Sequence, residues 1–309
     1  MVSRSWLINY VILAAIWGFS FAFVKQGLTA LTPLQVTAAR MALGALTICL
    51  FLVASGRWPR PTSGEWWRII VLGTVGLALP FTCIAFAETR ITSVLAGLLN
   101  AATPLFAALF VSWFIPRERP DRMQVGGLLI GFVGMVVLIG VWQLSTAGVD
   151  PAGVAAMIVA TVCYGFGTAF ARVALTTSNL VGSQLTGMQL LSGTVLLSLL
   201  LIVDPGDPPG PMSATAAISV LGLGILGTGV AMAMFWQVLR EAGATVAATV
   251  TYVVPLVSTT VGVVLLHEHL RWNELVGGVV VIAGVLLTQW PQLSGRGVEA
   301  VAEAPVTDD

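Results

Sequence analysis

The chain has 309 residues, of which 57% are hydrophobic and only 9% charged, with 14 basic residues balancing 14 acidic ones. A soluble domain carries about 25% charged residues, and so little charge would leave large apolar patches facing water, so a soluble globular protein is excluded. Zero net charge provides no basic surface for a nucleic acid.

A helix that crosses a bilayer needs roughly 20 apolar residues, and the chain reads as a succession of such runs. The first, 6–24, follows Arg4. It outlasts the apolar core of a signal peptide and lacks a small-x-small cleavage site, so it is read as a retained helix. Spans follow at 34–54, 68–86, 92–115 and 122–141, separated by "SGRWPRPTSGE" at 55–65 and "PRERPDR" at 116–122. A second set lies at 152–171, 181–203, 215–237, 244–266 and 273–290, with "DPGDPPGP" at 204–211 as its main break. The tail, 291–309, is small, polar and acidic at its end, a composition that predicts disorder.

Arginine placement sets the expected orientation. Arg4, Arg57, Arg60, Arg68, Arg117, Arg119, Arg122, Arg172, Arg240 and Arg296 lie on the side of the termini, against Lys25, Arg90 and Arg271 on the other. Cytoplasmic loops carry the excess of Lys and Arg, so both termini and the tail are expected in the cytoplasm of a bacterial cell, under its cytoplasmic membrane. Trp6, Trp58, Trp66, Trp67, Trp113, Trp142, Trp272 and Trp290 fall near span ends, as an interfacial belt predicts.

The two sets of spans echo one another. "WGFSFAFVKQGL" from Trp17 returns as "YGFGTAFARVAL" from Tyr164, so Trp17 matches Tyr164 and Lys25 matches Arg172. Further on, Arg40 pairs with Gln189, Gly44 with Gly193, Gly73 and Gly76 with Gly224 and Gly227, and Pro104 with Pro255. Five helices per copy is an odd number, so the second copy enters the membrane from the opposite side. The expected fold is therefore an all-α polytopic membrane protein, ten transmembrane helices in two inverted five-helix repeats, 1–145 and 146–290. Inverted repeats recur in secondary transporters, where two related halves exchange access to a central site.

"NAATPLFAALFVSWFIPRERPDRMQVGGLLIGFVGMVVLI" and its echo "TYVVPLVSTTVGVVLLHEHLRWNELVGGVVVIAGVLLTQW" close the two halves with a helix, a proline, a Glu and a Gly-rich helix. Over residues 6–290 the chain resembles the drug/metabolite transporter superfamily, and within it the two-domain EamA-type family. Arg117 before Glu118 departs from that pattern, where the family often has a small residue. The resemblance implies a carrier that moves small metabolites, amino acids or drugs, mostly outward. Multidrug efflux is the alternative within that class; a membrane enzyme or a structural or sensor subunit are the alternatives outside it.

Candidate substrate contacts are the polar and aromatic side chains inside the spans. Trp17 and Tyr164 are equivalent mid-span aromatics suited to pocket walls. Arg40 is the charged residue well inside an apolar span, suited to a substrate carboxylate or an acidic partner, with Gln189 its uncharged counterpart. Asn100 stands one turn before Pro104 and offers an amide beside a freed carbonyl; Thr251 and Tyr252 are its symmetry partners. These expectations place a cavity near Trp17, Arg40, Asn100, Tyr164, Gln189 and Tyr252. Trp236 and Gln237 are placed at the mouth of the eighth helix. Pro80, Pro104 and Pro255 each remove a backbone donor and are expected to bend their helices, freeing the carbonyls of Gly76, Asn100 and Thr251. Gly127 and Gly131 form a small-xxx-small pattern, read first as internal packing and second as a dimer contact, which leaves monomer and homodimer open.

Other chemistries lack their residues. Cys49, Cys83 and Cys163 have no Cys-x-x-Cys spacing. His267 and His269, in "LHEHL", are two apart and cannot converge on one ion from a helix, so no metal or cofactor is expected. There is no Walker A motif, no His-Glu-x-x-His and no paired aspartates, so no enzyme is expected. Glu118 and Glu268 are read as capping or pairing at helix junctions. Every Asp and Glu lies at or beyond a span end, which argues against proton antiport through a mid-membrane carboxylate and leaves only a peripheral route through Glu88 or Glu118. The expected partners are a small-molecule substrate and the lipid bilayer.

Overall fold

A computed structural model describes residues 5–115, 120–143, 150–176 and 178–293. Arg4, Arg117, Glu118, Arg119, Arg296 and the tail from 294 onward, all named above, lie outside them. The regular structure of the described residues is helical. Among the described residues, ten helices are long and apolar enough to cross a membrane. They are α1 (Trp6–Gly27), α2 (Pro33–Ala54), α3 (Trp66–Glu88), α4 (Ser93–Phe114), α5 (Arg122–Ile139), α6 (Pro151–Ala174), α7 (Gly182–Val203), α8 (Ala214–Gly243), α9 (Val246–Leu265) and α10 (Trp272–Trp290).

Side chains at the interfaces mark where these helices start. A helix start leaves backbone amides without partners, and hydrocarbon cannot supply any. Thr32 and Gln35 cap α2 reciprocally, with Pro33 in the first turn. The Thr92 hydroxyl accepts from the Leu95 amide at 3.1 Å to open α4. Asp121 and Gln124 cap α5 in the same reciprocal way, and Gly140, at φ 63°, ends it in the left-handed conformation that a residue without Cβ takes at no steric cost. Ser213 caps α8.

Four helices carry irregularities, and those of α3 and α8 follow the repeat. α3 contains a π-helical segment at Thr74–Ala78, and α8 contains one at Gly222–Val230. The register that matches Gly73 and Gly76 to Gly224 and Gly227 lays the two segments over one another. Pro80 follows the first, within the first turn of the α-helix that resumes at Leu79. α4 is interrupted: one helical stretch ends at Asn100 and the next begins at Thr103, with Pro104 in its first turn. Proline is tolerated there because that amide needs no partner, so the interruption is a helix end and restart. Pro255 lies inside α9, and α8 passes into α9 through Gly243 at φ 87°.

Packing shows the pseudo-twofold relation directly. α5 lies along α10, α2 along α7, α1 against α8 and α9, and α6 against α3 and α4. Exchanging the first five helices for the last five maps this set of neighbours onto itself. The glycines repeat the mapping atom by atom. A Cβ on Gly127 would collide with Thr288, and one on Gly277 with Leu138, which is the equivalent of Thr288. Gly134 meets Val281 as Gly284 meets Gly131. The Gly127/Gly131 pattern is thus an internal seam. Gly44 faces Gly224 as Gly193 faces Gly73, which lets α2 and α7 approach the π-helical segments backbone to backbone.

Candidate functional site

Arg40 is brought to the middle of the bundle by α2. It is 8% exposed. Its Nε donates to the Thr228 hydroxyl of α8 at 3.0 Å, and its guanidinium carbon lies 3.6 Å from the centre of the Phe81 ring on α3. Thr228 in turn donates to the Leu223 carbonyl, a bond of five-residue spacing that the π-helical turn creates. A guanidinium has five N–H donors, and among the described residues only Thr228 takes one of them. No carboxylate among the described residues lies at ion-pair distance from Arg40, which feels Tyr164 and Glu88 only through space.

Tyr164 joins this group from α6. Its ring meets Phe81 edge-on at 6.1 Å, so Arg40 and Tyr164 share one aromatic neighbour. Gln189 lies on the α7 face that packs on Gly73, 9% exposed. Trp17 packs on Phe235 of α8 at 5.7 Å and, with Tyr164, lines the main apolar core. Asn100 ends the first stretch of α4 with its carboxamide oxygen buried and unpartnered, as is the Thr103 hydroxyl across the break. Tyr252 points elsewhere: its hydroxyl donates to Gln289 of α10. Trp236 donates to the Thr186 hydroxyl at 3.1 Å, tying α8 to α7.

The structure therefore gathers Arg40 and Tyr164, keeps Trp17 in the adjoining core, and holds Tyr252 in a separate α9–α10 contact. Sequence reasoning missed Phe81 and Thr228. One signal was available for Thr228: its counterpart in the first half is Leu77, so it breaks the repeat in polarity just as Arg40 breaks it against Gln189. The two departures meet each other in space.

A second polar cluster occupies the end of the bundle where α1 turns into α2. Two cavities open there. One, of about 380 Å³, is lined by residues including Leu34, Cys83, Phe86 and Pro205. The other, of about 420 Å³, is lined by Lys25, Arg90, His267, Glu268, His269 and Glu274 among others. Neither includes any of the six side chains expected to line a cavity. Beside the second lies Glu88, at the end of α3 where the sequence places it, and it is 0% exposed. Lys25 crosses from α1 to donate to the backbone carbonyls of Glu88 and Ile91 at 2.7 and 3.1 Å. Glu268 accepts from the Ser93 and Val94 amides, both at 2.9 Å, and so caps α4 from the α9–α10 connection. A carboxylate there also suits the positive end of the α4 dipole.

Polar ties hold both ends of the bundle. At the Lys25 end, the Gln35 amide donates to the Pro205 and Asp207 carbonyls at 3.0 and 2.9 Å, and the Gly210 amide to Ala30. At the other end the equivalent Gln184 donates to the Arg57 carbonyl at 2.8 Å. Glu65, before α3, accepts from Ser178 and from the Thr62 amide and hydroxyl. The Ser178 hydroxyl, then the Thr62 amide, hold its carboxyl below the usual range.

Known proteins share this organisation. A model of the EamA-like transporter family matches residues 4–140 and again residues 151–290. Protein PecM of Dickeya dadantii (strain 3937) is 26% identical over 282 residues, which cover 91% of each chain. The uncharacterized inner membrane transporter YedA of Escherichia coli (strain K12) is 24% identical over 276 residues, 88% of this chain and 87% of that one. The uncharacterized transporter YoaV of Bacillus subtilis (strain 168) is 22% identical over 286 residues, 91% and 95%. A protein of known crystal structure superposes with a TM-score of 0.65 at 22% identity, covering 94% of this chain and 99% of the other, which speaks to fold alone.

Proposed function

Because this chain belongs to the EamA-like transporter family, we propose that it is a secondary carrier exporting a small, polar or amphipathic metabolite that bears an anionic group. It works by alternating access in a bacterial cytoplasmic membrane, with both termini in the cytoplasm. The observation that carries this reading is Arg40: a buried guanidinium between helices of both halves, stacked on Phe81, with donors that no carboxylate among the described residues takes. A buried cation without a paired charge is costly, and a solute carboxylate would supply the missing partner. Tyr164 closes the same site from α6, and Trp17 adds an apolar wall. The unpartnered oxygen of Asn100 offers an acceptor to a solute N–H. The inner-membrane relatives and the arginine distribution support the location, and the pairing of helices across the pseudo-twofold supports the mechanism.

The test is untargeted metabolite profiling of the medium from cells expressing wild type, Arg40→Ala or Asn100→Ala at matched protein levels. A metabolite that accumulates outside only with wild type names the solute and supports the site. Equal accumulation with all three keeps export and rejects the site. A medium indistinguishable from that of empty-vector cells rejects export.

A further inference from the structure

Glu88 is the buried acid that the site around Arg40 does not use. Its Oε2 receives a hydrogen bond from the Ser93 hydroxyl at 3.1 Å, while Oε1 is buried without a partner. The charged groups facing it come from three other elements, and none neutralises it by contact. Lys25 of α1 bonds to backbone carbonyls, including that of Glu88 itself, and not to its carboxyl. Arg40 of α2 is held on Phe81 and Thr228. Glu268, from the α9–α10 connection, is itself an acid, with both oxygens on the α4 amides. On its own side of the chain, Arg90 pairs with Asp150 at 2.8 Å. A carboxylate with one bare oxygen, no contact ion pair and an acidic neighbour is poorly accommodated away from water.

A cavity of about 420 Å³ is nevertheless close: Thr89 and Ile91, which line it, follow Glu88 in sequence, and Lys25, which also lines it, bonds to the Glu88 backbone carbonyl. The group is also single: in the register that matches Gly73 and Gly76 to Gly224 and Gly227, the second half has Leu239 in its place.

We propose that Glu88 is the proton-exchange site of the carrier. Its carboxylate takes up a proton when the Lys25 end is open to the outside and carries it in the buried arrangement seen here. A hydronium O–H bond in the cavity breaks, leaving water, as a carboxylate electron pair forms the new O–H bond, and the reverse transfer to water from the inward-open state resets the carboxylate. Each cycle then couples a proton to the solute; this coupling rests on the carrier reading above, whereas proton binding by Glu88 does not.

Two measurements separate these layers. Infrared difference spectra of the whole protein in lipid nanodiscs, recorded against pH, should show the carbonyl stretch of a carboxylic acid that fades reversibly as pH rises. That band should be missing from Glu88→Gln, which keeps the size of the neutral acid, and shifted but present in Glu88→Asp. Identical difference spectra for wild type and Glu88→Gln would overturn the proposal. In cells, release of the metabolite found by medium profiling should vary with external pH, with a limiting slope of about tenfold per unit for one proton, and Glu88→Gln should abolish that variation. A Glu88→Gln variant that exports with the wild-type pH dependence would also overturn it. If no metabolite is released at any pH, export itself has failed, and the infrared band alone decides whether Glu88 exchanges a proton.

Discussion

Arg40 and Gln189 occupy equivalent places, yet only one carries charge, and that difference can be tested directly. Arg40→Gln, which makes the halves alike, should lower export roughly 10- to 100-fold, since a hydrogen bond to a charged group contributes about 1.5–3 kcal/mol. Arg40→Lys should fall between, because an ammonium keeps the charge but loses the stacking on Phe81 and the forked donors. Export rates at matched protein levels decide both. Glu65 makes a different prediction. Its folded carboxyl titrates below the unfolded value of about 4.3. Its contribution to stability is therefore complete above that value and is lost as pH falls through the folded one. Thermal unfolding in detergent should show wild type losing its advantage over Glu65→Gln only in acid. At this scale the sequence was partly legible. Arg40 stood out as a charge in an apolar run, but Phe81, Thr228 and Tyr164 are far away in the chain, and only folding made them its neighbours. Glu88 read as a span-end acid, which it is, but its burial beside Lys25 and Glu268 was hidden because neither is near it in the chain.

At the scale of elements, ten apolar runs separated by Pro, Gly and Arg clusters placed the spans to within a few residues. The exception is the end of α8, expected near 237 and found at Gly243. Arg240 and Glu241 looked like a boundary, yet charged side chains past the apolar slab do not stop a helix, and Gly243 with its positive φ does. Pro104 marked the interruption of α4, but the two π-helical segments left no comparable mark, because backbone hydrogen-bond spacing is not written in hydrophobicity. The α5–α10 seam supports a packing prediction. Gly277→Ala pushes a methyl into the backbone of Leu138 and should destabilise the protein by about 1–3 kcal/mol, with export reduced through loss of folded protein. Gly126→Ala, on the same helix as Gly127 but with open space around it, should be neutral or stabilising by about 0.5–1 kcal/mol. Thermal shift assays on the two purified variants compare them directly.

For the whole molecule, the closed ties at both ends make a mechanical prediction. Gln35 bridges to Asp207 at one end and Gln184 to Arg57 at the other. In a chain whose three cysteines are first replaced, Gln35→Cys with Asp207→Cys should be joined by a short bifunctional thiol reagent. Export should then stop, and should resume when a cleavable linker is cut. Unchanged export after complete cross-linking would show that this end does not open during transport, and alternating access would have to be abandoned.

The π-helical segments of α3 and α8 act on this scale as slack in a rope. Each winds more residues into a turn than the α-helix on either side, so each holds length that a return to α-helix would pay out. One residue of such release advances the rest of the helix by about 1.5 Å and turns it by about 100°. In α3 the part that would turn carries Phe81, the platform under Arg40, and ends in Glu88. In α8 it begins just past Thr228, the hydroxyl that Arg40 holds. Taking up or letting out that slack would strip the guanidinium of its platform and move the buried acid in a single stroke.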